Sequence, residues 1–364
     1  FYVGINLGSL LATTFVGLIV AKWGWHAGFA MAGIAMLFGL IVYIYGQKYL
    51  SHVGNKPTKE EKDQDRSFVK LFLNIVNFPI QLTIVCVLLI LSIYAGFTFE
   101  GVDHWGYGAL FIFLSLTIGL LMMIYQSLEN QIEKDRFLVV LLSFLIVIIF
   151  WGAFEQAGGL MNVYTEQKTD RMLFGWLIPT PMFQGLNAGF ILLFAVWIAN
   201  IWAKRKLKGK EASSLFKMAT GTIIMGLGFV FMIFAVRDYE ANGSSAMYWL
   251  VFAYLFHTIG ELSSSPVSLS FVTKLAPVKY ASLMMGLYFA ATGLGGKVAG
   301  VLGEISSTFG EYTIFAGIAI FTTIFGLIVI ALRKPLNRLT HNAEDDEGEV
   351  HNYDDNEGYE LGER

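Results

Sequence analysis

A chain of 364 residues that is 55% hydrophobic and only 15% charged, with a formal net charge of −3, has too few charges to cover a soluble globule. The single cysteine, Cys86, excludes an intramolecular disulfide, and Phe1 reads as the middle of a helix rather than as a signal peptide. An all-α polytopic membrane protein is expected, as a fragment that lacks something on its N-terminal side.

Apolar runs separated by loop signals predict about ten transmembrane helices, near residues 1–21, 27–46, 79–97, 107–127, 137–160, 182–203, 218–236, 247–273, 281–301 and 311–332. The first two, within 1–46, carry FVGLIVAKWGW and AMAGIAMLFGLIVYIY. A charged linker, 47–78, leads into a separable hairpin over 79–128, bounded by KPTKEEKDQDR and LENQIEKDR. Six further spans fill 137–335. The tail 341–364 is acidic and almost free of aliphatic residues, so it is expected to be disordered. Alternate connections, beginning with the linker, carry nineteen Lys and Arg against four on the others, which puts both ends of the chain in the cytoplasm. Gly4-x3-Gly8 and Gly296-x3-Gly300 have the spacing of close helix packing.

Polar residues inside the spans mark candidate sites. An ionised side chain at the centre of a lone membrane helix costs about 2.5–3.5 kcal/mol, so it faces protein or a wet cavity. Glu261, in HTIGELSSSP, lies roughly 20 Å into its span at 1.5 Å per residue, near mid-depth. His257, one turn earlier, either hydrogen-bonds or protonates Glu261 or fills a packing gap. Ser265 closes the serine run before Pro266, which removes a backbone donor and kinks the helix. Glu155, in FWGAFEQAGG with Trp151 and Gln156 beside it, falls near the outer boundary on a straight count, and comes inward if its helix runs past the bilayer. Lys297, the one cation inside a span, either snorkels or faces a packed helix. Gln184 with Asn187, and Tyr2 with Asn6, form polar pairs on single helix faces, suited to interhelical glue or to a zwitterionic solute. No metal-ligand cluster, phosphate loop or nucleophile elbow occurs in the sequence, so no cofactor, no metal, no enzyme activity and no nucleic-acid partner are expected. Two carboxylates and several amides on different helices favour a proton-linked carrier.

These segments resemble the proton-dependent oligopeptide transporter family of the major facilitator superfamily. FYVGINLGSL is similar to that family's fifth helix, FWGAFEQAGG to its seventh, IPTPMFQGLNAGF to the start of its eighth, HTIGELSSSPVSLSFVTKLAP to its tenth and SLMMGLYFAATGLGGKVAG to its eleventh. The resemblance implies the last two helices of an N-terminal bundle, the inserted hairpin of bacterial members and a complete C-terminal six-helix bundle, with the first four helices absent. It implies proton-coupled symport of di- and tripeptides across a bacterial inner membrane by alternating access, which this chain alone would not complete. Tyr2, Asn6, Trp151, Gln184, Asn187, Glu261, Ser265 and Tyr288 are expected at the peptide, the asparagines and Glu261 at its amino end. Glu155, Glu261 and His257 are expected to take part in proton coupling, with Lys297 as an ion-pair candidate. Tyr288, Gly296 and Ala188 depart from the family's usual Trp, Asn and Pro, which bears on side-chain preference. A carrier of another small solute such as nitrate, or a membrane scaffold or sensor, are the alternatives.

Overall fold

A computed structural model describes residues 2–50, 79–98 and 104–344. Most of the linker 47–78 and the acidic tail beyond Glu344 therefore lie outside the described residues, as does the side chain of Tyr2. The first span is α1 (Tyr2–Leu11) and α2 (Gly17–Trp23), joined by a π-helical turn at Ala12–Val16. It is followed by α3 (Trp25–Gly46), the hairpin α4 (Pro79–Thr98) and α5 (His104–Ser127), then α6 (Gln131–Phe154) and α7 (Leu160–Lys168). The remaining helices are α8 (Pro181–Leu207), α9 (Ser214–Asn242), α10 (Tyr248–Leu275), α11 (Ala281–Phe309) and α12 (Glu311–Leu339).

Local chemistry sets the helix ends. Asn130 caps α6 by accepting the Ile132 amide at 2.9 Å, and Glu133 places a negative charge in the first turn, where the helix dipole favours it. Pro181 opens α8, a position whose amide has no helical partner, and Lys204, Arg205 and Lys206 close it at the negative end of the dipole. Seven of the described helical segments are long and apolar enough to cross a membrane. α10 is not among them, since His257, Glu261 and the Ser263–Ser265 run make its middle polar. The polar residues gathered at the middle of α10 are the first structural sign of a site.

Helices α6 and α8–α12 form a bundle in which α9 packs against both α10 and α12, α6 against α11, and α8 against α10. One apolar core gathers Phe137, Phe144, Phe271 and Met284, and a second gathers Phe150, Met161, Phe229 and Phe315. Outward-facing Leu193, Val196 and Trp197 of α8 stay exposed, as residues bathed in hydrocarbon would be. On the outside of the bundle, α5 lies along α6 and α11, where Leu114, Leu121, Leu141 and Leu287 share an apolar groove and Ser127 hydrogen-bonds the Tyr280 hydroxyl at 2.8 Å. The first span leans on α8, with Thr13 and Leu10 against Gly185.

Small residues bring helices together at places other than those expected. A methyl group added at Gly4, Gly8, Gly296 or Gly300 would meet nothing within 4 Å, so among the described residues neither predicted glycine pair is a helix contact. The close approach is between α9 and α10, where a carbon added at Gly221 would sit 2.6 Å from the Gly260 carbonyl oxygen. Sequence spacing identifies a smooth helix face, but not which neighbour uses it.

The basic ends of α6, α8, α9, α10 and α12 collect at one end of the bundle. There Arg205 donates to the Glu211 carbonyl at 2.6 Å, Arg333 lies 3.7 Å from the Glu211 carboxylate, and Arg136 donates to the Thr340 and His341 carbonyls at 3.0 and 3.2 Å. At the opposite end Lys168 bonds both carboxylate oxygens of Glu311 at 2.7 and 2.8 Å, and Thr169–Asp170 pairs in parallel with Ser245–Ala246. The predicted alternation of Lys and Arg thus corresponds to two chemically different ends.

Candidate functional site

Glu261 is buried, 8% exposed, in the middle of α10. Asn187, in the second turn of α8, donates from Nδ2 to Glu261 Oε2 at 2.7 Å and to Thr258 Oγ1 at 3.1 Å. Thr258 is held in turn by its own bond to the Tyr254 carbonyl at 2.7 Å. Asn187, Thr258 and Glu261 are therefore one hydrogen-bonded cluster across the α8–α10 contact, and a short N–H···O bond to an ionised carboxylate is of the stronger kind. Asn6 of α1 is buried to the same degree, 8%.

The next turns of α10 are tied down separately. Trp202 donates to Ser263 Oγ at 3.3 Å, Ser268 Oγ donates to the Ser265 carbonyl at 2.9 Å, and Ser268 also shares a 2.8 Å bond with the Tyr288 hydroxyl of α11. The Ser268 bond reaches the turn that Pro266 interrupts, where the missing proline amide leaves the backbone needing side-chain partners. Ser265 is half-buried and Tyr288 buried, so this hydroxyl pair fixes α10 to α11 just beyond Glu261.

His257 does not join the cluster. Neither ring nitrogen has a hydrogen-bond partner, so the predicted bond to Glu261 is absent. The imidazole packs 4.5 Å from the Phe229 ring and over Gly228, where an added carbon would come within 2.4 Å of it. Four residues on a helix leave an angular offset of roughly 40°. Here that offset turns His257 into the α9 contact while Glu261 faces α8. Of the two sequence readings, the packing one matches the geometry.

Gln184 is also redirected. It donates to Asn162 of α7 at 3.3 Å, so Gln184 and Asn187, paired by spacing, serve different neighbours. Glu155 follows the last residue of α6 in a one-turn 3-10 segment, and α7 then continues to Lys168. The predicted end of this span near residue 160 is thus too early. Thirteen further residues extend past Glu155 to Lys168, most of them in α7. Glu155 is exposed and lines a cavity of about 410 Å³ with Val163 and the small residues Gly296, Ala299, Gly300 and Gly303. Lys297, half-buried, stands beside Gly296 on that helix. Gln156, adjacent, is buried and donates to the Ala299 carbonyl at 3.1 Å, which locks the helix break onto α11. Trp151 is wedged between the Phe154 ring, 5.1 Å away, and Gly295.

One member of the site is missed by sequence reading, Thr258, while Gln156 is noted there only as a neighbour of Glu155. Thr258 stands at i−3 from Glu261 on the same face, a signal that was present. No such mark distinguishes Gln156 beyond its place next to Glu155.

A family model described as the POT family (PTR2) matches residues 1–331. A peptide transporter of Yersinia enterocolitica is 30% identical over 94% of this chain and 68% of its own, and a di-/tripeptide transporter of Lactococcus lactis is 29% identical over 93% and 68%. Among solved structures, a peptide transporter POT in complex with sulfate superposes with a TM-score of 0.74 at 27% identity, covering 93% of this chain and 67% of that one. A POT family transporter bound to a thioalcohol-conjugated peptide superposes with a TM-score of 0.68 at 26% identity, covering 92% and 68%. The chain spans about two thirds of the length of these relatives.

Proposed function

This chain belongs to the POT family, and from that premise we propose that it forms the larger part of a carrier that takes di- and tripeptides into the cytoplasm with protons. The observation that carries the proposal is the Asn187–Glu261 bond: a buried carboxylate, held by an amide from the facing helix, in the polar middle of a 28-residue helix. A peptide ammonium is the complementary ligand, since it brings three donors and a positive charge to an acceptor-only group.

The proposal assigns roles to the other candidate residues as well. Asn6 and Tyr2 are assigned to the amino end of the peptide, and Trp151, Tyr288, Gln184 and Ser265 to its side chains. Glu155, on its own cavity wall, is the second carboxylate available to a proton, with Lys297 as a counter-charge candidate. Loss or gain of a proton at Glu155 or Glu261 changes the charge beside the bound ammonium, so proton and peptide binding become linked free energies. Rocking of the six-helix bundle against the N-terminal one then exposes the site to either side. The division into 1–46 as the end of an N-terminal bundle, 79–128 as an inserted hairpin and 137–335 as the C-terminal bundle follows from this reading. So do a bacterial inner-membrane location and a cytoplasmic side for the basic end.

Uptake by the complete protein in proteoliposomes tests the function. Labelled dialanine is expected to accumulate under an inwardly directed proton gradient, with competition by di- and tripeptides and none by nitrate or free alanine. Accumulation that ignores the gradient, or competition by nitrate in place of peptides, would overturn it.

A further inference from the structure

A second site, unlike the Asn187–Glu261 cluster in charge, lies at the basic end. A cavity of about 520 Å³ opens between the ends of α8, α9 and α10, lined by Lys206, Lys210, Lys217 and Lys274 against two carboxylates, Glu211 and Glu344. Glu211 is already committed, to the Ser213 amide at 3.1 Å and to Arg333. Glu344 enters from the other end of the sequence and places both its oxygens on the Ser214 amide, at 3.2 and 3.0 Å, at the N-terminus of the 29-residue helix α9. A carboxylate is thus already seated where backbone amides and the helix dipole favour negative charge.

That carboxylate arrives by a fastened path. After α12 the chain turns at His341 and Asn342, both at positive φ (48° and 58°). Arg136 holds the Thr340 and His341 carbonyls, and His341 lies 2.7 Å from Asp135. The start of the tail is therefore anchored, contrary to the expectation of disorder from residue 341. The next residues are Asp345, Asp346, Glu347, Gly348 and Glu349, the densest run of acid in the chain. Three extended residues reach about 10 Å, enough to carry these carboxylates across a cavity whose rim Glu344 already forms.

We propose that the acidic segment beginning at Asp345 docks in the lysine-lined cavity, making the C-terminal end of the chain a built-in polyanionic ligand for the basic ends of α8, α9 and α10. Pro266 and Val267 form part of the cavity wall, so the docked segment bears on the half of α10 beyond the proline, five residues from Glu261. The inference stands on charge complementarity and chain path, and does not depend on what the protein carries.

Zero-length carbodiimide coupling on the complete protein in nanodiscs of zwitterionic lipid, followed by peptide mass spectrometry, tests it. Amide links from Asp345, Asp346, Glu347 or Glu349 to Lys206, Lys210, Lys217 or Lys274 are expected within one chain. Their yield should fall roughly fivefold in 1 M salt, where the screening length is about 3 Å. The double variant Lys206→Gln/Lys210→Gln should lose most of the links while its size-exclusion profile stays that of the wild type. Links that join heavy- and light-isotope copies would assign the occupant to a second chain and overturn the proposal. So would coupling only to Lys134 or Lys334, no coupling at all, or links abolished by anionic lipid at low salt, which would make a headgroup the preferred ligand.

Discussion

The contact between α9 and α10 sets the position of Glu261, and Gly221→Ala probes it. An added methyl carbon would lie 2.6 Å from the Gly260 carbonyl oxygen and 2.9 Å from Ser264 Cβ, where ordinary contact begins at 3.4 Å. The helices must separate by several tenths of an ångström, and overpacking of this kind costs about 1–3 kcal/mol. Against it stands the helix propensity of alanine, which favours the substitution by roughly 1 kcal/mol. Gly286→Ala isolates that second effect, because nothing lies within 4 Å of its added carbon. In detergent, thermal unfolding followed by size-exclusion chromatography should show Gly221→Ala about 2–12 °C below Gly286→Ala, at roughly 2–4 °C per kcal/mol. Equal melting temperatures for the two variants, or a higher one for Gly221→Ala, would refute the claim that bare backbone contact holds α10 in place.

Asn187→Ala removes a charge-assisted donor of the class worth about 1.5–3 kcal/mol, so dipeptide affinity measured by calorimetry should fall roughly 10- to 100-fold; an unchanged affinity would separate the cluster from binding. Tyr288→Phe breaks the bond to Ser268 and should lower stability by about 0.5–1.5 kcal/mol in thermal unfolding, while a wild-type melting curve would show that the hydroxyl pair does not brace α10. At the basic end, burial pushes the Glu211 carboxyl up, but hydrogen bonds from Ser213 and the nearby Arg333 and Arg205 outweigh it and hold it below the usual carboxylate value of about 4.3. Because the folded value is the lower one, its stabilisation is present above pH ~4.3 and lost as pH falls through the depressed value. Glu211→Gln should therefore flatten the drop in melting temperature between pH 5 and pH 3, and identical pH slopes for variant and wild type would contradict the ion pair.

Much of this architecture is legible in the residues, because a hydrocarbon solvent leaves few options. Runs such as FLVVLLSFLIVIIFWGAF have to be helices, and a carboxylate within one has to face protein or water, which is why Glu261 stands out. Partner choice is less legible. His257 and Glu261 are one turn apart and yet face α9 and α8, since the deciding feature is the absent side chain of Gly228 on another helix. Gln184 and Asn187 divide between Asn162 and Glu261 for the same reason: a polar pair on one face says nothing about whether one neighbour or two lie opposite. Glu155 reads as a boundary residue on a straight residue count, which does not foresee that helix resumes at Leu160 after a single 3-10 turn.

The central claim is that the Glu261 carboxylate receives the amino end of the peptide. Calorimetry on the complete protein, comparing dialanine with its analogue lacking the α-amino group, addresses it directly in wild type and Glu261→Gln. In the wild type dialanine should bind roughly 10- to 100-fold more tightly, the worth of a hydrogen bond to a charged group, and in Glu261→Gln most of that preference should vanish. The same preference in both proteins would show that the ammonium is held elsewhere.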